Sequence, residues 1–406
     1  MQENASLKRS LGLWLLIFYG LGNILGAGIY VLVGKVAGEA GYFAPLSFMM
    51  AAFVAAFTAF TYAELSARYP VSAGEAVYLQ KGFERAWLSR IGGILIAISG
   101  MFSASTIVRG FSGYLQVFIE QPEWMLIVGA LFVLGLVAIW GISESVKIAA
   151  TFTVLEIAGL LLIIFVGSSK LDTLPEVVSN LPSLGDLKVW PGIFLGAFLA
   201  FFAFIGFEDM VNVAEEVKNP EKNMPRAILI ALVISTMLYA LVSVVAIVNL
   251  SPEALASSKA PLADIYTSAT GQKPIVITFI SLFAVINGAL IQLIMSSRIL
   301  YGMSNRGWLP SIFSQLNNRT RTPVFATIFV VLIITLLALW FPIEKLAQST
   351  SYLILTIFFL VNIALFRIRK RYALPENVRG YPIWVPLIGA LGSLFLLVAQ
   401  IWSSIL

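Results

Sequence analysis

The sequence predicts an all-α integral membrane protein of about eleven transmembrane helices, ten of them forming two blocks of five with opposite topology. Three observations predict it. Of 406 residues, 59% are hydrophobic and only 12% are charged, with a mean hydropathy of +0.92. Runs close to the ~20 apolar residues that a helix needs to cross a bilayer recur from end to end. Charge is also lopsided across the connecting loops. With the N-terminus inside, 19 of the 26 Lys and Arg residues lie on the inner side and 6 on the outer, Arg109 falling within a span. By the positive-inside rule this expects a multi-pass protein of the cell membrane with a cytoplasmic N-terminus.

The first block reads as spans at about 11–34, 44–67, 91–118, 124–142 and 148–167. Lys8 and Arg9 precede the first run as in a signal peptide, but the run is too long for one and no small-residue cleavage site closes it, so it reads as an uncleaved span. Tyr69-Pro70 punctuates the end of the second span. The second block reads as spans at about 193–214, 226–249, 274–303, 323–342 and 346–366, separated by breakers such as Asn219-Pro220, Thr322-Pro323 and Phe341-Pro342. A last helix covers about 383–406. There is no room for a soluble domain, so 1–406 reads as one polytopic domain, with repeat one at about 11–167 and repeat two at about 193–366. Because five is odd, the second block must be inverted relative to the first. Inverted repeats are a common transporter plan, with the site at broken helices in matching positions.

Composition excludes several chemistries. Without cysteine there is no disulfide, Fe–S cluster or thiolate metal site. Without histidine, proton coupling must run through Asp, Glu, Lys or Tyr. No P-loop, nucleophile elbow or metal motif is present, so no enzyme, cofactor or metal is expected. The net charge of +5 is scattered over short loops, which suits a lipid bilayer and not a nucleic acid.

The first span carries Gly20, Gly22, Gly26 and Gly28, and the sixth carries Gly206 followed by Glu208 and Asp209. Glycine costs roughly 1 kcal/mol against alanine inside a helix, and broken backbone is tolerated at membrane depth only in protein or a wet cavity. A break at Gly26-Ala27-Gly28 would offer amides to a carboxylate, and a break near Phe202-Ala203-Phe204-Ile205 would offer carbonyls to an ammonium. Together they suit an α-amino acid. The plainer alternative is that Gly22 and Gly26, spaced GxxxG, serve helix packing. Phe202, on the second break, is the candidate gate.

Intramembrane acids cost at least about 2.5 kcal/mol at mid-bilayer and need a partner or cavity. Glu156 in the fifth span and Glu208 beside the second break are the candidate proton or ion coupling residues. Their alternatives are a structural hydrogen bond and a cap for the lower half-helix. Asp209, nearer the helix end, carries less. Glu64, Arg68 and Tyr69 close the second span as either a gate ion pair or a solvated helix end.

Four stretches together resemble the amino acid–polyamine–organocation superfamily, in particular its amino-acid permeases. They are Gly26-Ala27-Gly28-Ile29-Tyr30; Tyr62-Ala63-Glu64-Leu65 with Arg68-Tyr69-Pro70 and Gly74-Glu75; Phe202-Ala203-Phe204-Ile205-Gly206-Phe207-Glu208 with Ala214-Glu215-Glu216-Val217-Lys218-Asn219-Pro220; and Ser297-Arg298-Ile299-Leu300-Tyr301 with Gly307-Trp308-Leu309-Pro310. The resemblance implies a LeuT-like 5+5 inverted repeat with discontinuous helices 1 and 6. It implies an amino-acid substrate whose carboxylate meets the amides of Gly26, Ala27 and Gly28. The carbonyls of Ile24, Phe202, Ala203 and Ile205 would then hold its amino group, Phe202 would gate, and Glu208 would respond to protons. Two departures stand out. Some proton-coupled members carry a lysine on the fifth helix where this chain has Glu156, and the family usually has about twelve or more spans.

The expectation is a secondary active transporter working by alternating access, as proton symporter or exchanger, with sodium coupling left open. The apolar, aromatic pocket mildly favours neutral amino acids, and Arg109 weighs slightly against cationic ones. The alternatives are a polyamine or organocation carrier and a non-transporting amino-acid sensor or assembly subunit. Oligomeric state is not legible.

Overall fold

The computed structural model describes residues 9–71, 74–140, 146–317, 319–320 and 322–405, with residues 27, 146–151 and 403–405 described by backbone alone. Among them there is no β-strand, only sixteen α-helices and short 3-10 segments. Nine runs are long and apolar enough to cross a membrane, and a shorter apolar helix at Val324–Trp340 adds to them. The first run, Leu13–Arg68, holds 56 residues, about 84 Å at 1.5 Å per residue. That is far more than one crossing of a ~30 Å hydrocarbon core.

The first block contains α1 (Leu13–Leu25), α2 (Ala27–Ala40), α3 (Ala44–Arg68), α4 (Gly74–Phe83), α5 (Ala86–Leu115), α6 (Glu123–Trp140) and α7 (Val146–Gly167). Gly26 separates α1 from α2 with φ −55° and ψ −132°, which ends one helix and starts the next without a loop. Between the blocks runs α8 (Leu174–Ser179).

The second block opens with α9 (Trp190–Phe201), which tightens to a 3-10 turn over Phe202–Phe204, extends at Ile205, and resumes as a 3-10 helix over Glu208–Glu216. Gly206 has φ +128°, a conformation only glycine adopts readily, and this sets the second break. Both breaks therefore fall where the glycines stand. Then come α10 (Pro220–Asn249), α11 (Pro252–Ser257), α12 (Pro261–Thr270), α13 (Ile275–Asn305), α14 (Val324–Trp340), α15 (Ile343–Arg371) and finally α16 (Trp384–Ile405). Two pieces were not legible in the sequence: α4, and the pair α11 and α12 in the loop after α10.

The core gathers around the second break. Phe207 and Phe358 pack with Tyr62 and with each other, and Phe201 packs on Phe358, in edge-on and tilted contacts with ring centroids 5.2–5.7 Å apart. Such pairs contribute about 0.5–1.5 kcal/mol each beyond their buried area. They join α3, the broken helix and α15.

The main chain also ties the two broken helices at one end. The amides of Ser10 and Leu11 both donate to the Glu216 carbonyl at 2.9 and 3.0 Å, and the Lys218 amide donates to the Leu11 carbonyl at 2.9 Å. This isolated parallel bridge joins the lead-in of α1 to the segment entering α10.

Candidate functional site

The breaks meet because small residues let them. A β-carbon on Gly28 would lie 2.3 Å from the Ala203 Cα, and one on Gly206 would lie 2.5 Å from the Asn23 carbonyl oxygen. Gly20 faces the Met210 sulfur in the same way, at 2.4 Å. Gly26 is different: a β-carbon there would make only ordinary contact, at 3.8 and 3.9 Å, with the carbonyl oxygens of Ala284 and Gly22, and the residue borders a space.

That space is a small chamber of about 30 Å³ where the breaks cross. Ile24, Gly26, Gly28, Phe202 and Ile205 line it, together with Asn23, Ser103, Ile107, Asp209, Gly288, Ile291 and Gln292. It is large enough for ordered water and too small for an amino acid without movement. Ala203 and Ile24 turn their carbonyls toward the Tyr239 hydroxyl, at 2.8 and 2.6 Å. Ala27 begins α2 by its backbone, and its side chain lies outside the described residues.

Next to the chamber lies a vestibule of about 1040 Å³. Ile205, Asp209, Ile291, Gln292 and Ser103 line both spaces, so the two adjoin across a shared wall. The vestibule widens past Tyr62, Glu75 and Glu208 toward the exposed Ser10 and Arg306, at the end of the bundle that carries the start of α1. Arg90 and Arg306 stack near the Trp308 ring there, 5.1 and 5.4 Å from its centroid.

At the opposite end the bundle is sealed. A β-carbon on Gly34 would meet the Leu255 carbonyl oxygen at 2.3 Å, and one on Gly113 the Lys259 carbonyl oxygen at 2.4 Å, so α11 sits directly on α2 and the link between α11 and α12 sits on α5. The Lys35 ammonium donates to the Ala256 carbonyl at 2.6 Å and pairs with Glu344 at 3.1 Å. Beneath them the buried Tyr114 hydroxyl donates to the Tyr30 carbonyl at 2.5 Å.

The acids divide by position. The Glu208 carboxylate accepts the Gly206 amide at 2.8 Å and also borders the vestibule, so it holds the break and faces the cavity at once. Glu156 is buried in α7 and borders neither space, while its backbone carbonyl accepts the Tyr30 hydroxyl at 2.6 Å. Asp209 lines both spaces and accepts Gln292 at 3.4 Å.

Glu75 was not singled out in the sequence as a titrating group, because it follows a turn and reads as a solvated helix start. On α4 it is 7% exposed and lines the vestibule. Burial, with Asp209 nearby, pushes it up to about 7.

Glu64 is fully buried at the centre of a half-buried ion cluster, not at a solvated helix end. It accepts the Nε of Arg68 at 2.9 Å and of Arg369 at 2.8 Å, and the Tyr381 amide at 3.1 Å. One residue turn away, Asn362 bridges Thr58 and Thr61 at 2.9 and 2.6 Å. Arg109 is engaged away from both cavities, on the carbonyls of Ala338 and Phe341 at 3.0 and 2.7 Å and on Glu123 at 3.0 Å.

Comparison with known proteins agrees with this architecture. A family model described as amino acid permease matches residues 11–405. The branched-chain amino acid permease BcaP of Bacillus subtilis is 29% identical, over 98% of this chain and 90% of its own length. The vacuolar cationic amino acid transporter 2 of Arabidopsis thaliana is 32% identical over 91% of this chain, which spans 61% of that longer protein. A methylthioribose transporter of Bacillus subtilis is 28% identical over 95% of this chain and 86% of its length. In three dimensions the chain is similar to MhsT, solved in complex with L-phenylalanine, with a TM-score of 0.66 at 15% identity over 98% of this chain and 100% of the other. At that identity the likeness shows the fold, here LeuT-like.

Proposed function

The chain belongs to the amino acid permease family, and from that premise we propose that it is a secondary active transporter moving amino acids across the cell membrane by alternating access. The observation that carries this reading is the meeting of two broken helices at one chamber that adjoins a vestibule on one side and is sealed on the other. A carrier needs such a one-sided site, because a site open to both sides would leak.

The amides beginning α2 suit the substrate carboxylate, since Gly26 lines the chamber and a helix N-terminus attracts anions. The carbonyls of Ile24, Phe202, Ala203 and Ile205 suit the ammonium, and Phe202, which lines the chamber, serves as the gate. Proton coupling or exchange drives the cycle, with Glu208 and Glu156 as coupling groups and Glu75 joining them because it borders the vestibule. The aliphatic and aromatic side chains of Ile24, Ile107, Phe202, Ile205 and Ile291 in the chamber support a preference for neutral substrates, and Arg109, tied to α14 and α6, has no part in it. The charge bias of the loops supports a cytoplasmic N-terminus in the plasma membrane, so the vestibule faces inward.

Radiolabelled uptake and counterflow in proteoliposomes, with and without a pH gradient, test this reading. Accelerated exchange of at least one amino acid is expected. Neither uptake nor exchange of any amino acid would overturn it.

A further inference from the structure

The carbonyls of Ile24 and Ala203 belong to different broken helices, yet both lie within hydrogen-bond distance of one side chain, the Tyr239 hydroxyl, at 2.6 and 2.8 Å. Tyr239 is fully buried on α10, its ring fixed against Phe204 at 5.1 Å and Phe48 at 6.0 Å. A hydroxyl has one proton to donate. It satisfies one of these carbonyls at a time and meets the other oxygen to oxygen. As a permanent strut this is a poor arrangement. As a bond to be handed over it is a good one, because an ammonium brings three donors to the same place.

We propose that the Tyr239 hydroxyl is a stand-in for the substrate ammonium: it ties the two breaks together while the site is empty, and yields a carbonyl to the ammonium when an amino acid binds. The proposal rests on the transport reading above and adds a step to it, the return of the empty carrier. Net transport requires the empty site to cross back, and buried carbonyls without a donor oppose that passage. A carrier returning loaded has the ammonium in place and does not need the hydroxyl. Tyr239 therefore sets the ratio of net flux to exchange.

The test uses proteoliposomes preloaded with a radiolabelled amino acid that the wild-type protein exchanges. Efflux is followed into substrate-free buffer, which reads net flux, and into saturating unlabelled substrate, which reads exchange. Tyr239→Phe keeps the ring and removes the donor. It is expected to slow net efflux about tenfold, the order of effect of one unpaired buried acceptor, with exchange changed by less than about twofold. Replacement of Tyr239 by 4-aminophenylalanine, whose amine reaches as far with two protons, is expected to restore net efflux.

An equal fall in both fluxes, an unchanged ratio, or a wild-type protein that exchanges without net efflux would overturn the proposal. Should Tyr239→Phe fail to fold, the 4-aminophenylalanine protein decides alone. A net-to-exchange ratio at or above wild type supports the proposal, and a lower one overturns it. Wild-type protein with no exchange at all refutes the transport reading itself, and the stand-in role falls with it.

Discussion

Gly28 and Ala203 hold α2 and the broken second helix in backbone contact: a β-carbon on Gly28 would sit 2.3 Å from the Ala203 Cα and 2.6 Å from its Cβ. Neither neighbour is the end of a flexible side chain, so nothing can swing aside. Gly28→Ala is expected to destabilise the protein by about 1–3 kcal/mol and to abolish uptake. Gly302→Ala is the control, since it borders the vestibule with nothing within 4 Å of the added methyl. There the helix gains up to about 1 kcal/mol. Thermal unfolding in detergent and uptake in proteoliposomes distinguish the two.

Glu64 anchors α3 to α15 and to the segment before α16 through two guanidiniums and the Tyr381 amide. Removing one partner of a buried ion pair costs about 3–5 kcal/mol, because the other charge stays buried. Glu64→Gln is therefore expected to lower the unfolding temperature sharply. Glu64→Gln combined with Arg369→Met should regain part of the loss. A double variant no better than the single one would mean that Arg369 contributes nothing to the cluster.

Glu75 lies outside the spans and faces Tyr62 of α3 and the acids Glu208 and Asp209 of the broken helix, with Tyr78 on its own helix. Burial holds its carboxyl up to about 7 against an ordinary 4.5. Below about pH 4.5 both folded and unfolded chains carry the proton. Between there and about pH 7 only the folded chain keeps it, so stability falls as pH rises through that window, by about 1.4 kcal/mol per unit at the steepest. Unfolding measured against pH should show this slope in the wild type, and Glu75→Gln should make it shallower.

The chain contains no cysteine, so a single introduced thiol reports access without background. Ser103→Cys sits on the wall shared by chamber and vestibule. It is expected to react with an impermeant thiol reagent from the vestibule side only. Adding Gly34→Ala, which drives a methyl into the Leu255 carbonyl, should loosen α11 and raise labelling from the sealed side severalfold. Unchanged labelling there would mean that α11 does not close that face.

The breaks at Gly26 and Gly206 were legible because glycine in an apolar run is a local signal. What each glycine does was not, since Gly28 packs on a residue 175 positions away while Gly26 borders space. Glu64 next to Arg68 could equally end a solvated helix, and only Arg369 arriving from 305 residues on makes the cluster. Tyr239 gave no signal at all, since a tyrosine amid aliphatic residues reads as core until the two carbonyls are seen converging on it. Glu208 offered two readings, a cap for the lower half-helix and proton response; its carboxylate accepts the Gly206 amide, just before that helix, while bordering the cavity.

The bridge between Leu11 and Val217 is made from main-chain atoms alone. Side-chain drift leaves it untouched, and of single substitutions only a proline, which removes the donor at Ser10, Leu11 or Lys218, cuts one of its bonds. The yoke that ties the two broken helices at one end is thus inherited with the backbone, whatever the side chains at Ser10, Leu11 and Val217 become. A lineage built this way can change its cargo without having to reinvent its hinge.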